Sequence, residues 1–197
     1  MSLLPGGERA VRDAIRAHVN AGLARASGPI RERISRLTRR ALADSPENLS
    51  LQSGRLRAEL GVPDPQGALE AVIDGLAGNM TVRPGDLSLH VGLSRVDLSD
   101  VLGIPQAAFD SEGGHRIDWL AWLLTAGDEL INLDYRFAGG PSPASRTGLG
   151  VMKRGGVWRV PPEFAGTQLG GNWISRALDG ASGEFLSIIL EEAGRAM

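Results

Sequence analysis

The hydrophobic period of this chain switches from 3.6 residues to two and back, twice, and those switches decide which fold classes remain open. Val11, Ala14, Ile15, His18 and Val19 recur at three-to-four spacing and predict a helix over 7–26. Ser27-Gly28-Pro29 reads as a break, with Pro29 in the first turn of a second helix whose seam is Ile30, Ile34, Leu37 and Ala41. Met80 and Val82, then Leu87, Leu89, Val91 and Leu93, alternate about Pro84-Gly85-Asp86 and predict a hairpin. Before it, 63–78 reads as a short capped helix, and after it 96–109 as a helical segment. A strongly apolar helix follows over 116–127, carrying Trp119, Leu120, Trp122, Leu123 and Leu124. Ile131, Leu133, Tyr135 and Phe137 return to period two, and 149–160 reads as a hairpin turning on Gly155-Gly156. The last helix, 172–196, has Ile174, Ala177, Leu178, Ala181, Phe185, Ile188 and Ile189 on one face, with Gly180 and Gly183 weakening its middle. Strands grouped in hairpins with helices to one side predict an α+β fold rather than a doubly wound sheet.

Charge divides the chain more sharply than hydropathy does. Residues 1–43 hold nine arginines against Glu8, Asp13 and Glu32, a net of +6, and the remainder carries −8. The expected organisation is a basic helical arm over 1–45 and an α+β body over 46–197. The arm has two readings: a solvated face, or contact with an acidic partner or DNA phosphates through Arg31, Arg33, Arg36, Arg39 and Arg40. The overall charge of −2 argues against a basic nucleic-acid binder. The absence of cysteine excludes disulfides and thiolate metal sites. The apolar runs fall short of the roughly 20 residues of a membrane helix. The first sixteen residues lack a basic flank followed by an apolar core, so synthesis in the cytoplasm is the expectation.

Motifs for chemistry are sparse. His18, His90 and His115 have no metal-ligand spacing, and Thr147-Gly148-Leu149-Gly150 lacks the helix a phosphate loop needs. The acids of 97–100 and 127–130 flank helix ends and read as caps, though Asp128, Glu129 and Asp134 leave open a small carboxylate enzyme. A basic-arm DNA-binding regulator is a third reading, weakened by the acidic body. No cofactor, metal or small-molecule substrate is expected.

The stiffest stretch is WRVPPEFAGT, 158–167. Pro161 and Pro162 remove two backbone donors and hold the chain extended between Trp158 and Phe164. Either both rings plug the chain's own core, or the segment is a connector laid on a neighbouring subunit, where a rigid segment loses little entropy on docking. The Gly/Pro/Ser-rich loop 138–148, with Arg146, is long enough to reach such a neighbour.

Ser53-Gly54-Arg55-Leu56, the HVGLS strand at 90–94, Glu163-Phe164 with Gly166-Thr167, and Trp173 with Ala177-Leu178 occur in an order that resembles the tail-completion, or neck, proteins of tailed bacteriophages. The likeness is scattered over 50–195, and segment 95–127 departs from it. The resemblance implies a small α+β virion protein, made in the host cytoplasm, in which Ser53–Leu56 begins a strand. It implies a head–tail joining or tail-terminator role: a ring of its own copies, such as a hexamer, touching neighbouring neck proteins and the tail tube or sheath. Double-stranded DNA would pass through without sequence-specific contact.

Overall fold

A computed structural model describes residues 5–93, 98–111, 113–167 and 170–197. The fold is α+β: among the described residues, helices dominate and three separate antiparallel two-stranded sheets lie between them. Helix α1 (Pro5–Ala43) is followed by α2 (Pro46–Ser53), α3 (Arg55–Leu60) and α4 (Pro65–Gly78). The hairpin β1 (Met80–Gly85) and β2 (Ser88–Leu93) comes next, then α5 (Leu98–Leu102) and a 3₁₀ turn at Pro105–Ala107. Strands β3 (Phe109–Asp110) and β4 (Arg116–Ile117) lead into α6 (Trp119–Thr125). Strands β5 (Tyr135–Gly139) and β6 (Gly150–Arg154) precede α7 (Trp173–Gly180) and α8 (Ser182–Ala196).

Two apolar clusters hold these elements. The larger joins α2, α3, α4, α6 and α7 around Trp119, Trp173, Leu56, Leu69 and Leu76, with Trp158 and Val160 from the segment after β6. The smaller sits where α1, β1 and α8 meet, built from Ala26, Ile30, Ile34, Leu37, Met80, Ala181 and Ile188. Ser45 ties the two. Its hydroxyl caps α2 by accepting from Asn48 N, donates to Leu42 O, and accepts from Trp173 Nε1 at 2.7 Å.

Several local expectations are corrected. Ser27-Gly28-Pro29 does not break the helix: α1 runs through it for 39 residues. Gly28 has no Cβ to oppose the proline ring, which relieves half of the usual restriction on the preceding residue. Ala26 and Ile30, both buried, hold the two sides in one line. The second hairpin does not turn on Gly155-Gly156. Strand β5 pairs with β6 from Gly139↔Gly150 to Tyr135↔Arg154, so 140–149 is its loop. Gly155 and Gly156, at φ +85° and +120°, instead form a bend, after which Trp158 pairs back to Asn132. Ser53–Leu56 does not begin a strand; Gly54 separates α2 from α3. The final helix is two helices, parted at Ala181. The helix expected over 96–109 shortens to α5 and the 3₁₀ turn, and Val96, Asp97 and the Ser94 end of the HVGLS motif lie outside the described residues.

Candidate interaction surfaces

The arginines of the arm are mostly spent on the chain's own acids. Arg33 donates to Glu192 at 2.6 Å and Glu191 at 2.8 Å on α8. Arg39 pairs with Glu70 and, at 3.7 Å, with Asp74 on α4. Arg40 pairs with Glu184, and Arg36 with Glu32 one turn earlier. The positive arm and the negative body therefore meet within one chain. The hydrogen bonds that Arg33 donates to Glu192 and Glu191 raise its pKa, and Arg33 in turn lowers that of Glu191. Arg31 is exposed, and no ion pair joins it to the other described residues.

The first half of α1 differs. Arg16 faces Asp86 at 3.4 Å, and Asn20 holds the β1–β2 turn through Asp86 and the backbone N–H of Leu87. Arg25 donates to the Ala196 carbonyl, and the His18 ring meets the Met197 carbonyl at 3.1 Å. Beyond those latches α1 outruns both the hairpin and α8. Its seam residues Val11 and Ile15 are 52% and 58% exposed. The positions Val11, Ile15, Val19, Leu23, Ala26, Ile30, Ile34, Leu37 and Ala41 form one continuous helical stripe. Its lower two thirds are covered and its upper third is bare.

The stretch 158–167 is bolted to its own chain. Trp158 is buried, edge-on to Trp122 with ring centres 5.7 Å apart, and its indole N–H donates to Glu59 at 2.6 Å. Arg55 bridges Glu59 (2.5 Å) and Glu163 (2.9 Å). The Glu59 bond raises the Arg55 pKa. Glu163 is held below its ordinary value, first by its own backbone N–H and then by Arg55, against some desolvation. Pro161 is buried, Pro162 exposed and Phe164 half-buried. The Pro161 carbonyl accepts from the N–H groups of Phe164 and Ala165 and closes the turn. Arg176 of α7 donates to the carbonyls of Phe164 and Ala165 at 3.0 and 3.1 Å and to Glu47 at 2.7 Å. Gly166 is obligatory: a Cβ there would stand 2.3 Å from Asn172 Cα. Three of the four motifs thus meet, Arg55 on Glu163 and α7 on the Phe164–Ala165 turn, while HVGLS stands apart in β2. The loop 140–149 is also tied back. Arg146 lies over the Phe109 ring at 4.6 Å and donates to the carbonyls of Leu60 and Gly61.

Beside Trp158 opens a cavity of about 660 Å³ walled by Trp122, Trp158, Ile131, Tyr135 and Met152. Its rim carries His115 and Arg116, its buried carboxylate, Glu59, already accepts from Trp158 and Arg55, and its aromatic walls offer a stacking surface to a flat apolar group. Asp128, Glu129 and Asp134 are exposed, and Asp128 pairs with Arg159 at 3.1 Å.

Sequence reasoning missed Glu47, Glu59 and Arg176, because a charged residue buried by a partner more than 90 positions away looks like any surface charge. It also missed the outer side of α8, where Leu186 and Leu190 are exposed. Their signal was legible: two leucines four apart, opposite the stripe of Ile188. No family model, curated protein or solved structure matches the chain.

Proposed function

We propose that the chain is a structural protein of a phage neck or tail top, which joins head to tail by binding adjacent ring proteins and its own copies. It lets double-stranded DNA pass and transforms no ligand. The observation that carries the joining role is the uncovered third of the α1 seam. A helix that exposes Val11 and Ile15 beyond its own body offers a neighbour a ready apolar edge, each side chain worth about 1.5–3 kcal/mol when covered. Arg9 and Arg12, exposed beside that edge, favour a groove with an acidic rim. The phage assignment draws on the order of the short motifs, and the convergence of three of the four around Arg55, Glu163 and Arg176 supports a common structural purpose for those three.

Antibody labelling of purified tailed particles from the encoding host tests the reading. Label at the collar between capsid and tail is expected, and a particle without this polypeptide overturns it. In the same particles, the double substitution Val11→Asp with Ile15→Asp is expected to leave the chain folded but keep it from being incorporated.

A further inference from the structure

Two cavities share Glu59, Leu60, Ser111, Ile117 and Met152, and so lie end to end between the β3–β4 and β5–β6 hairpins. The chain uses them differently. The end of about 400 Å³, beside Phe109 and Phe137, is furnished from within. Arg146, from the 140–149 loop, lies over the Phe109 ring at 4.6 Å and donates to the Leu60 and Gly61 carbonyls. The end of about 660 Å³ runs on to Trp122, Trp158 and Tyr135 and is left open. Its size is that of a small-molecule site.

The walls of the open end are held in advance. Trp158 meets Trp122 at 63° between ring planes, which makes a corner. The Trp158 backbone N–H donates to the Asn132 carbonyl at 2.8 Å, and its own carbonyl accepts from the Asn132 N–H at 3.1 Å. A corner built beforehand loses little entropy when a ring enters it. The polar groups of the border are spent one-sidedly. Glu59, with a side chain 3% exposed, accepts from Arg55 through one oxygen and from Trp158 through the other. Asn132 Oδ1 accepts from the N–H groups of Asp134 and Tyr135, and Ser111 Oγ from that of His115. What remains is rich in donors. The Asn132 amide nitrogen has no partner among the described residues. Arg116 has only its Nε taken, by Asp118 at 2.8 Å, which leaves both terminal nitrogens. Arg154 stands directly across from Tyr135, on the strand face that also carries Met152, and no ion pair joins it to the other described residues. Asp110 and Asp134 lie on bordering segments without lining the cavity.

We propose that this open end binds a small planar aromatic acid of one or two rings, with the rings in the Trp122–Trp158 corner and the carboxylate on Arg116 at the rim. Aromatic walls suit a flat ring. A border with its acceptors engaged and its donors left over suits a group that only accepts, which an ionised carboxylate does. The two terminal nitrogens of Arg116 form the planar fork that matches a carboxylate. A cationic ligand would meet Arg116 and Arg154 with like charge and would find both Glu59 oxygens already engaged. The site goes beyond the neck reading, which assigns no ligand to the chain. One charge contact at an exposed rim and a ligand of about a dozen non-hydrogen atoms correspond to a dissociation constant of about 0.1–1 mM.

The tryptophans give the test its readout. Of the four in the chain, Trp122 and Trp158 line the cavity, while Trp119 and Trp173 are fully buried elsewhere. Titration of the isotope-labelled full chain with 2-naphthoate, followed by NMR of the indole N–H signals, is expected to move those of Trp122 and Trp158 saturably and to leave those of Trp119 and Trp173 in place. The uncharged isostere 2-naphthalenemethanol is expected to move the same two signals with about tenfold weaker affinity. Arg116→Gln, at a side chain 69% exposed, keeps the circular-dichroism spectrum, weakens 2-naphthoate about tenfold and leaves the alcohol unchanged. Tyr135→Ala weakens both probes. Absence of saturable movement up to about 5 mM, or equal movement of all four signals, overturns the site. Equal affinity for the acid and the alcohol, or an Arg116→Gln variant that binds the acid as wild type does, overturns the assignment of an acidic ligand. None of these results alters where the polypeptide is found on a particle, so the two proposals fail separately.

Discussion

From Leu23 to Ala41 the apolar stripe of α1 lies against β1 and α8; from Val11 to Val19 the same stripe runs on with only Val19 partly covered. Spacing and residue types barely change along it, yet Ile34 is 2% exposed and Ile15 58%. The difference comes from reach. Helix α8 ends level with Gly22, and the β1–β2 turn ends at Asn20 and Arg16, so nothing among the described residues extends to cover the rest. The bare part stays helical because extending an anchored helix is far easier than nucleating one, and its alanines and arginines are good helix formers. A periodic stripe therefore specifies a helix and a potential contact side, but not whether the cover comes from the same chain.

Side-chain truncation in the two halves gives the largest contrast. Ile34→Ala is expected to lose about 2–5 kcal/mol in urea denaturation, and Ile15→Ala to stay within about 0.5 kcal/mol; equal losses would mean that the first half is covered. Pro29 marks the junction. Pro29→Ala restores an N–H for the Arg25 carbonyl and is expected to raise stability by about 1–3 kcal/mol and slow amide exchange in the turn around it. A loss of stability would show that the proline shapes the packed half. Thr38, in the buried half, has a hydroxyl with no hydrogen-bond partner among the described residues. Thr38→Val is expected to raise the free energy of unfolding in urea by about 1 kcal/mol.

The smallest effect is the pH response of the arm-to-body pairs, which solvent screens. Glu191 has a folded pKa below its ordinary value because of Arg33. Its contribution is therefore present above the ordinary glutamate range and is lost as pH falls through the depressed folded value. Acid unfolding of Arg33→Ala should show a shallower loss there than wild type, whereas Arg9→Ala should match wild type. A matching Arg33→Ala curve would show the pair to be immaterial.

Much of this was legible in the residues themselves. The β1–β2 hairpin, though it turns at Asp86-Leu87 with Pro84 and Gly85 still in β1, the apolar helix around Trp119 and the α+β class follow from local periodicity, because the pattern of burial repeats with the backbone. The continuity of α1 through Pro29 did not, since it depends on Ala26 and Ile30 being gripped by other elements. Nor did the pairing of β5 with β6, because period-two segments on either side of a long loop look the same as those flanking a glycine pair. The ends of Trp158–Phe164 were visible as anchors. Whether they anchor the chain to itself was decided by Glu59, Arg55 and Arg176, which sequence places far from them.

By itself the sequence determined the elements and the charge division, since periodicity, capping and composition act over a few residues. Only the tertiary structure decided how charge and apolar surface are used. It neutralised Arg33, Arg39 and Arg40 against α4 and α8, turned the proline-rich stretch inward, and left two helix sides uncovered. Burial and ion pairing join positions distant in the chain, and no local pattern records which of them will meet.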